Sequence, residues 1–153
     1  MKITNIGANG INLIKHFEGF YGNPYICPAG VPTIGYGTTF WLNGSKVTLK
    51  DTPITEAHAS ELLAKTLIQF EQYVDVYCVD SLNQHQFDAL VSFCYNLGPV
   101  NLKSSTLLKK VNENPVDTSI RDEFMKWVYG GGKILPGLVT RREAEANLYF
   151  LPV

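Results

Sequence analysis

Glu18 is the first residue of this chain whose type and place point to chemistry. Between residues 11 and 21 the apolar side chains recur at helical spacing, and a step of roughly 100° per residue gathers Ile11, Ile14, Phe17 and Tyr21 on one side. With Ile11 set to zero, Glu18 falls at about 340°, between Ile11 and Ile14, on that apolar side. Desolvation there favours the protonated carboxyl, the form a proton donor needs, whereas a neighbouring Lys or Arg favours the ionised form. Glu18 is therefore either the acid of a reaction or half of an ion pair. Cys27, Cys78 and Cys94 are the next candidates, because a thiol can act as a nucleophile. Their number is odd and they lack CxxC spacing, so at least one is free in the monomer, which fits synthesis in a reducing compartment. Cys78 and Cys94 lie in apolar helical runs and read as buried, inert thiols, while Cys27 stands in a Pro-rich loop. Near the C-terminus, helical stepping from Leu138 puts Arg141, Arg142, Glu145, Leu148 and Tyr149 on one face, a pattern that reads as a surface ion-pair cluster. His16, His58 and His85 show no HxxxH or HExxH spacing, so no metal site is expected.

These residues need elements to hold them. The pattern predicts a helix over 11–21, then a Gly/Pro-rich stretch. Short β pieces follow around 33–36 and 46–49, separated by the turn signal Asn43-Gly44. A long helix over 55–78 comes next, capped by Thr55 and striped by Leu62, Leu63, Leu67, Phe70 and Val74. Four further helices are predicted over 83–97, 104–112, 117–128 and 138–150, with Gly130, Gly131 and Gly132 breaking the chain before the last. The fold class is α+β. It consists of a small β-containing lobe over about 12–55, a linking helix over about 55–78, and a helical lobe over about 79–153 that also takes the N-terminal segment. The formal charge of −1 on 153 residues gives no basic excess for nucleic acid or a polybasic membrane contact. No window reaches the ~20 apolar residues of a membrane span, and the N-terminus makes a poor signal peptide.

Several of these stretches resemble one family. Glu18-Gly19, then Tyr25, then Pro32-Thr33-Ile34-Gly35-Tyr36-Gly37-Thr38 is similar to the active-site segment of the phage-type lysozymes, the endolysins of glycoside hydrolase family 24. Glu18, Cys27 and Thr33 meet that family's pattern E-x8-(D/C)-x5-T in its cysteine form. The stretch Gln86-Phe87-Asp88-Ala89-Leu90-Val91-Ser92-Phe93 with Tyr95-Asn96-Leu97-Gly98 is similar to the family's central helix, and Ser105-Thr106-Leu107 to the start of the next. Gly137-Leu138-Val139 with Arg141-Arg142-Glu143 and Glu145 resembles its C-terminal helix, so the likeness runs from about residue 11 to 150.

The resemblance implies a lysozyme-like fold and hydrolysis of the β-1,4 bond between N-acetylmuramic acid and N-acetylglucosamine in peptidoglycan, with no cofactor. It implies Glu18 as general acid, and Cys27 and Thr33 as the residues on the other side of the reaction. An ordinary thiol with a carboxylate nearby is mostly protonated at neutral pH, so Cys27 is expected to position water with Thr33 rather than to carry a fixed charge. An arginine of the C-terminal helix, Arg141 or Arg142, is implied to approach the acid and serve substrate binding. Tyr36, Phe40 and Trp41 could stack on sugar faces, or could equally form the small lobe's own core. The family also implies a holin-type release partner, a stay in the bacterial cytoplasm until release, and action as a monomer without a membrane anchor. Two other readings remain open on the residues alone: a Cys27-dependent endopeptidase of the peptide stems, and a glycan-binding module that does not cut.

Overall fold

The computed structural model describes residues 2–79 and 81–153. Its contacts divide the chain into two units, Ile14–Ile68 and the pair of segments Met1–Leu13 with Gln69–Val153. The divisions fall inside α1 (Ala8–Glu18) and α2 (Glu56–Tyr77). Helices dominate, and the strands form two antiparallel pairs, in agreement with the α+β expectation.

In the unit Ile14–Ile68, α1 ends at Glu18 rather than running to residue 21. Gly19 takes φ +72°, a conformation that L side chains rarely adopt, and its N–H donates to Lys15 O at 2.9 Å, closing the last turn. The Gly/Pro-rich stretch that follows is not a loop throughout. Its first part is β1 (Tyr21–Ile26), paired antiparallel with β2 (Pro32–Gly35) through Tyr21↔Gly35, Tyr25↔Thr33 and Ile26↔Pro32, with an irregularity between Tyr21 and Tyr25. Pro24 fits there because a bulge relieves the strand of one ladder N–H. The second β piece expected over 46–49 shrinks to an isolated bridge, Phe40↔Lys46, with Val47 N–H donating to Thr39 O at 2.9 Å. Ile14, Ile34, Tyr36, Val47, Ala59, Leu62, Leu63 and Leu67 are buried in this unit. Thr55 does cap α2, accepting the N–H of His58 at 3.1 Å.

The other unit is built on α3 (Gln84–Leu97), buried without interruption over residues 86–94. Asn83 and Gln86 form a reciprocal capping box at its start, and Gly98, φ +92°, ends it. Around it lie α4 (Pro99–Ser104), α5 (Thr106–Glu113), α6 (Ile120–Phe124) and α7 (Pro136–Tyr149), with α7 packed along α3. Phe93 meets Phe124 and Trp127 edge-on at 5.9 and 5.6 Å, and Phe124 meets Tyr149 at 5.8 Å. Burial of rings of this size is worth roughly 2–3 kcal/mol each. The glycines at 130–132 do more than break the chain: they turn a short hairpin, β3 (Tyr129–Gly130) against β4 (Lys133–Ile134). Among the described residues no helix is long and apolar enough to cross a membrane.

The N-terminal segment is tied down by two buried carboxylates. Glu71 Oε2 accepts the N–H of Ile6 at 2.7 Å, and Asp88 accepts those of Gly7 at 2.8 Å and Gly10 at 3.2 Å. Asp88 thus caps α1 from α3, 81 and 78 positions from the two amides it accepts, a tertiary substitute for a local N-cap. Gly10 is required at this crossing, because a Cβ there would stand 2.7 Å from Asp88 Cβ.

Candidate active site

Glu18 is the last residue of α1 and is half-buried. Gly19 then turns the chain toward β1, so Glu18 and the hairpin are joined by a two-residue link. On the hairpin, Cys27 extends the ladder past Ile26: its N–H donates to Val31 O at 3.0 Å, and Gly30 N–H donates to Cys27 O at 2.8 Å, which closes a tight turn. Thr33 is buried, and its hydroxyl donates to Val31 O at 2.9 Å while its lone pairs remain able to accept. Cys27 and Thr33 thus lie on opposite arms of the same tight hairpin, close enough for Thr33 to act on the thiol.

The chemistry of Cys27 differs from the expectation. The thiol is held below its ordinary value, first by the backbone N–H of Val31, then by the hydroxyl of Thr33, with the backbone at Ala29 and at Cys27 itself adding to these. Backbone N–H groups aimed at the sulfur favour the thiolate, and together these influences outweigh burial, which raises it. Cys78 and Cys94 behave as expected of buried thiols: burial pushes each up to about 12.

The three aromatic candidates separate. Tyr36 is buried, donates its hydroxyl to Glu56 Oε1 at 2.8 Å, and meets Phe20 at 5.8 Å, so it belongs to the unit's own core rather than to a sugar platform. Trp41 is half-exposed and tethered, its indole N–H donating to Asp51 Oδ2 at 2.8 Å. Phe40 is 53% exposed and is the most open ring of the three. Two aromatics not proposed as sugar platforms lie on β1: Tyr21 and Tyr25 stack with centroids 4.1 Å apart and planes 28° from parallel. The phenol of Tyr25 is pushed up by burial first, then by Tyr21, Cys27 and Glu18. The alternation Tyr25-x-Cys27 opposite Thr33 was the available signal, but it needed the strand to be recognised.

In the other unit, Arg141 and Arg142 do not form the surface cluster that the pattern suggested. Arg142 is 0% exposed and Arg141 4%, and both hold Glu145, which is itself 0% exposed. Arg142 Nε approaches Glu145 Oε1 to 2.8 Å, an ion pair whose angle is poor for a hydrogen bond, and Arg142 Nη2 donates to Asn96 Oδ1. Ser92 donates to Glu145 Oε2 at 2.6 Å, and the Arg142 guanidinium lies 5.3 Å over the ring of Phe93. Burial pushes the Glu145 carboxyl up, and the two guanidiniums oppose it. The charged stripe is the packed face of α7 because α3 offers it Ser92, Asn96 and a ring face.

Comparison with known proteins extends this picture. The 41% identical endolysin of Bacillus phage B103 aligns over 145 residues, 95% of this chain, although the chain spans only 54% of that relative's length. Among solved structures, the endolysin of Escherichia coli O157:H7 phage FAHEc1 superposes with a TM-score of 0.87 at 32% identity, covering 95% of this chain and 93% of that one. The muramidase domain of SpmX from Asticaccaulis excentricus gives a TM-score of 0.79 at 35% identity, with 97% and 99% covered. The lysozyme-like α+β fold expected from the sequence stands on these superpositions. The family description "Phage lysozyme" matches residues 15–145, and the chain belongs to the phage lysozyme family.

Proposed function

We propose that this chain hydrolyses the β-1,4 bond between N-acetylmuramic acid and N-acetylglucosamine in peptidoglycan, with Glu18 as general acid and Cys27 and Thr33 holding the attacking water. Glycoside hydrolysis needs a proton at the bridging oxygen and a group on the opposite sugar face that supplies or steers the incoming oxygen. The observation that carries the reading is the hairpin itself: Gly19 turns the chain from Glu18 toward β1, and β1–β2 pairing puts Thr33 close enough to Cys27 to act on the thiol. The relatives named endolysin and muramidase support the same substrate. The described partners of the Cys27 sulfur are backbone and hydroxyl groups rather than an imidazole, which favours a glycosidase over a Cys–His endopeptidase. Release to the wall through a holin-type partner, and action as a monomer, belong to this reading as well.

The test is purified peptidoglycan with detection of both new reducing ends and new free amines. The wild type is expected to produce reducing ends alone, Glu18→Gln to lose at least a hundredfold of that activity, and Cys27→Ser to keep an appreciable part of it. Free amines as the product, or full activity in Glu18→Gln, would overturn the reading. Near-complete loss in Cys27→Ser would replace the water-positioning role with a thiolate nucleophile.

A further inference from the structure

Lys15 stands on the last turn of α1, three positions before Glu18, and the proposed reaction gives it no task. Its backbone and its side chain are both engaged. The carbonyl accepts the Gly19 N–H at 2.9 Å, the bond that closes the turn presenting Glu18. The side chain is half-buried, with Nζ donating to Ser60 Oγ at 2.9 Å and lying 5.3 Å from the centroid of the Tyr36 ring. That ring is itself fixed, since Tyr36 is buried and its hydroxyl donates to Glu56 Oε1 at 2.8 Å. Glu56 and Ser60 are four apart on α2 and share one face of its first turns.

The hairpin rests on the same part of α2. Ile54, just before the helix, donates its N–H to Gly22 O of β1 at 2.9 Å, and a Cβ at Gly35, the end of β2, would stand 3.1 Å from Ala59 Cβ. The turn that carries Glu18 and the hairpin that carries Cys27 and Thr33 are thus fixed to one support. Ile14, fully buried, anchors α1 in the apolar core, but an apolar contact is non-directional and does not by itself resist a small roll of the helix about its axis. A roll of about 10° carries a group roughly 6 Å from the axis through about 1 Å. Displacements of that size cost an enzyme up to about a hundredfold in rate.

We propose that Lys15 is a positioning residue of this site: its ammonium, clamped between Ser60 Oγ and the Tyr36 ring, fixes the roll of the last turn of α1 and so the placing of the Glu18 carboxyl against the hairpin. The proposal rests on Glu18 being the acid. Lys15 acts through the backbone that carries Glu18 and not on the substrate.

The experiment measures kcat and KM on soluble peptidoglycan fragments, across pH, for wild type, Lys15→Met, Ser60→Ala, Ser60→Thr and the double variant Lys15→Met with Ser60→Ala. Urea midpoints measured alongside correct kcat for any unfolded fraction. Lys15→Met keeps the length of the stem and loses the ammonium, and should lower kcat about tenfold with KM within about twofold of wild type. Ser60→Ala keeps the lysine charge and loses its anchor; kcat should fall about threefold with both pH limbs in place, and Ser60→Thr should restore it. The double variant should lose no more than Lys15→Met alone, because both changes break the same contact. Wild-type kcat in Lys15→Met or in Ser60→Ala, a loss carried by KM instead of kcat, or losses that multiply in the double variant would each overturn the role. Glu18→Gln separates the two claims. If it is inactive while Lys15→Met turns over like wild type, the Lys15 role alone falls, whereas full activity in Glu18→Gln removes the acid assignment and the Lys15 role with it.

Discussion

Replacing Asp88 should destabilise the protein far more than replacing a typical acidic residue, because its carboxylate is 0% exposed and stands in for the missing N-cap of α1. Its Oδ1 accepts from Gly7 N at 2.8 Å and Gln84 Nε2 at 2.7 Å, and its Oδ2 from Gly10 N at 3.2 Å. In Asp88→Ala the two backbone donors lose their acceptor inside the structure, at about 1–3 kcal/mol each. Gly7 is half-buried and recovers part of this from water, and Gln84 can turn outward, so the total comes to about 3 kcal/mol. For a chain of this length that corresponds to a Tm lower by roughly 6–12 °C. Asp88→Asn keeps one acceptor oxygen but presents an NH2 to the other N–H, and should cost about 2 kcal/mol. Urea unfolding followed by far-UV circular dichroism measures both, with an unchanged m value expected because the surface exposed on unfolding is the same. High salt should not change the difference, since the pairing is shielded from solvent ions. Both variants lying within about 0.5 kcal/mol of wild type would refute the reasoning, because that is the range of a surface substitution without structural consequence.

Two further outcomes follow from the same structure. Iodoacetamide at neutral pH should modify Cys27 first and leave Cys78 and Cys94 intact until the chain unfolds, because the Cys27 thiol is held below its ordinary value while burial pushes the other two up to about 12. Intact-mass spectrometry should show one adduct, with its rate rising through a midpoint below that of a free cysteine; two or three adducts on folded protein would contradict this. Glu145→Gln should destabilise by about 3–5 kcal/mol in the same urea assay, since it leaves the Arg141 and Arg142 guanidiniums together in a buried site without their shared anion. A loss below about 1 kcal/mol would mean that the network relaxes to solvent.

Much of the architecture is legible in local signals. Thr55 announces the start of α2, Asn83 with Gln86 the start of α3, and Gly98 its end; each is a short-range device whose partner lies within four residues, so the sequence by itself determines it. The helical order, the placement of Glu18 before a glycine and the spacing to Cys27 and Thr33 are of the same kind. The β1 strand was less legible because Gly22 and Pro24 mask its alternation, and its pairing with β2 is what reveals that Tyr25 shares a face with Cys27 and Thr33. What only the tertiary structure decided depends on partners far apart in the chain. Asp88 caps a helix whose amides lie 81 and 78 positions away, Ser92 and Asn96 turn an apparent surface stripe of Arg141, Arg142 and Glu145 into a buried face, and the backbone of the turn at Cys27, Ala29 and Val31 lowers a thiol that a nearby carboxylate was expected to raise. The physical reason is common to all three. A side chain's charge state and burial depend on which donors and acceptors the fold places against it, and periodicity in one segment carries no information about the segment that will pack there.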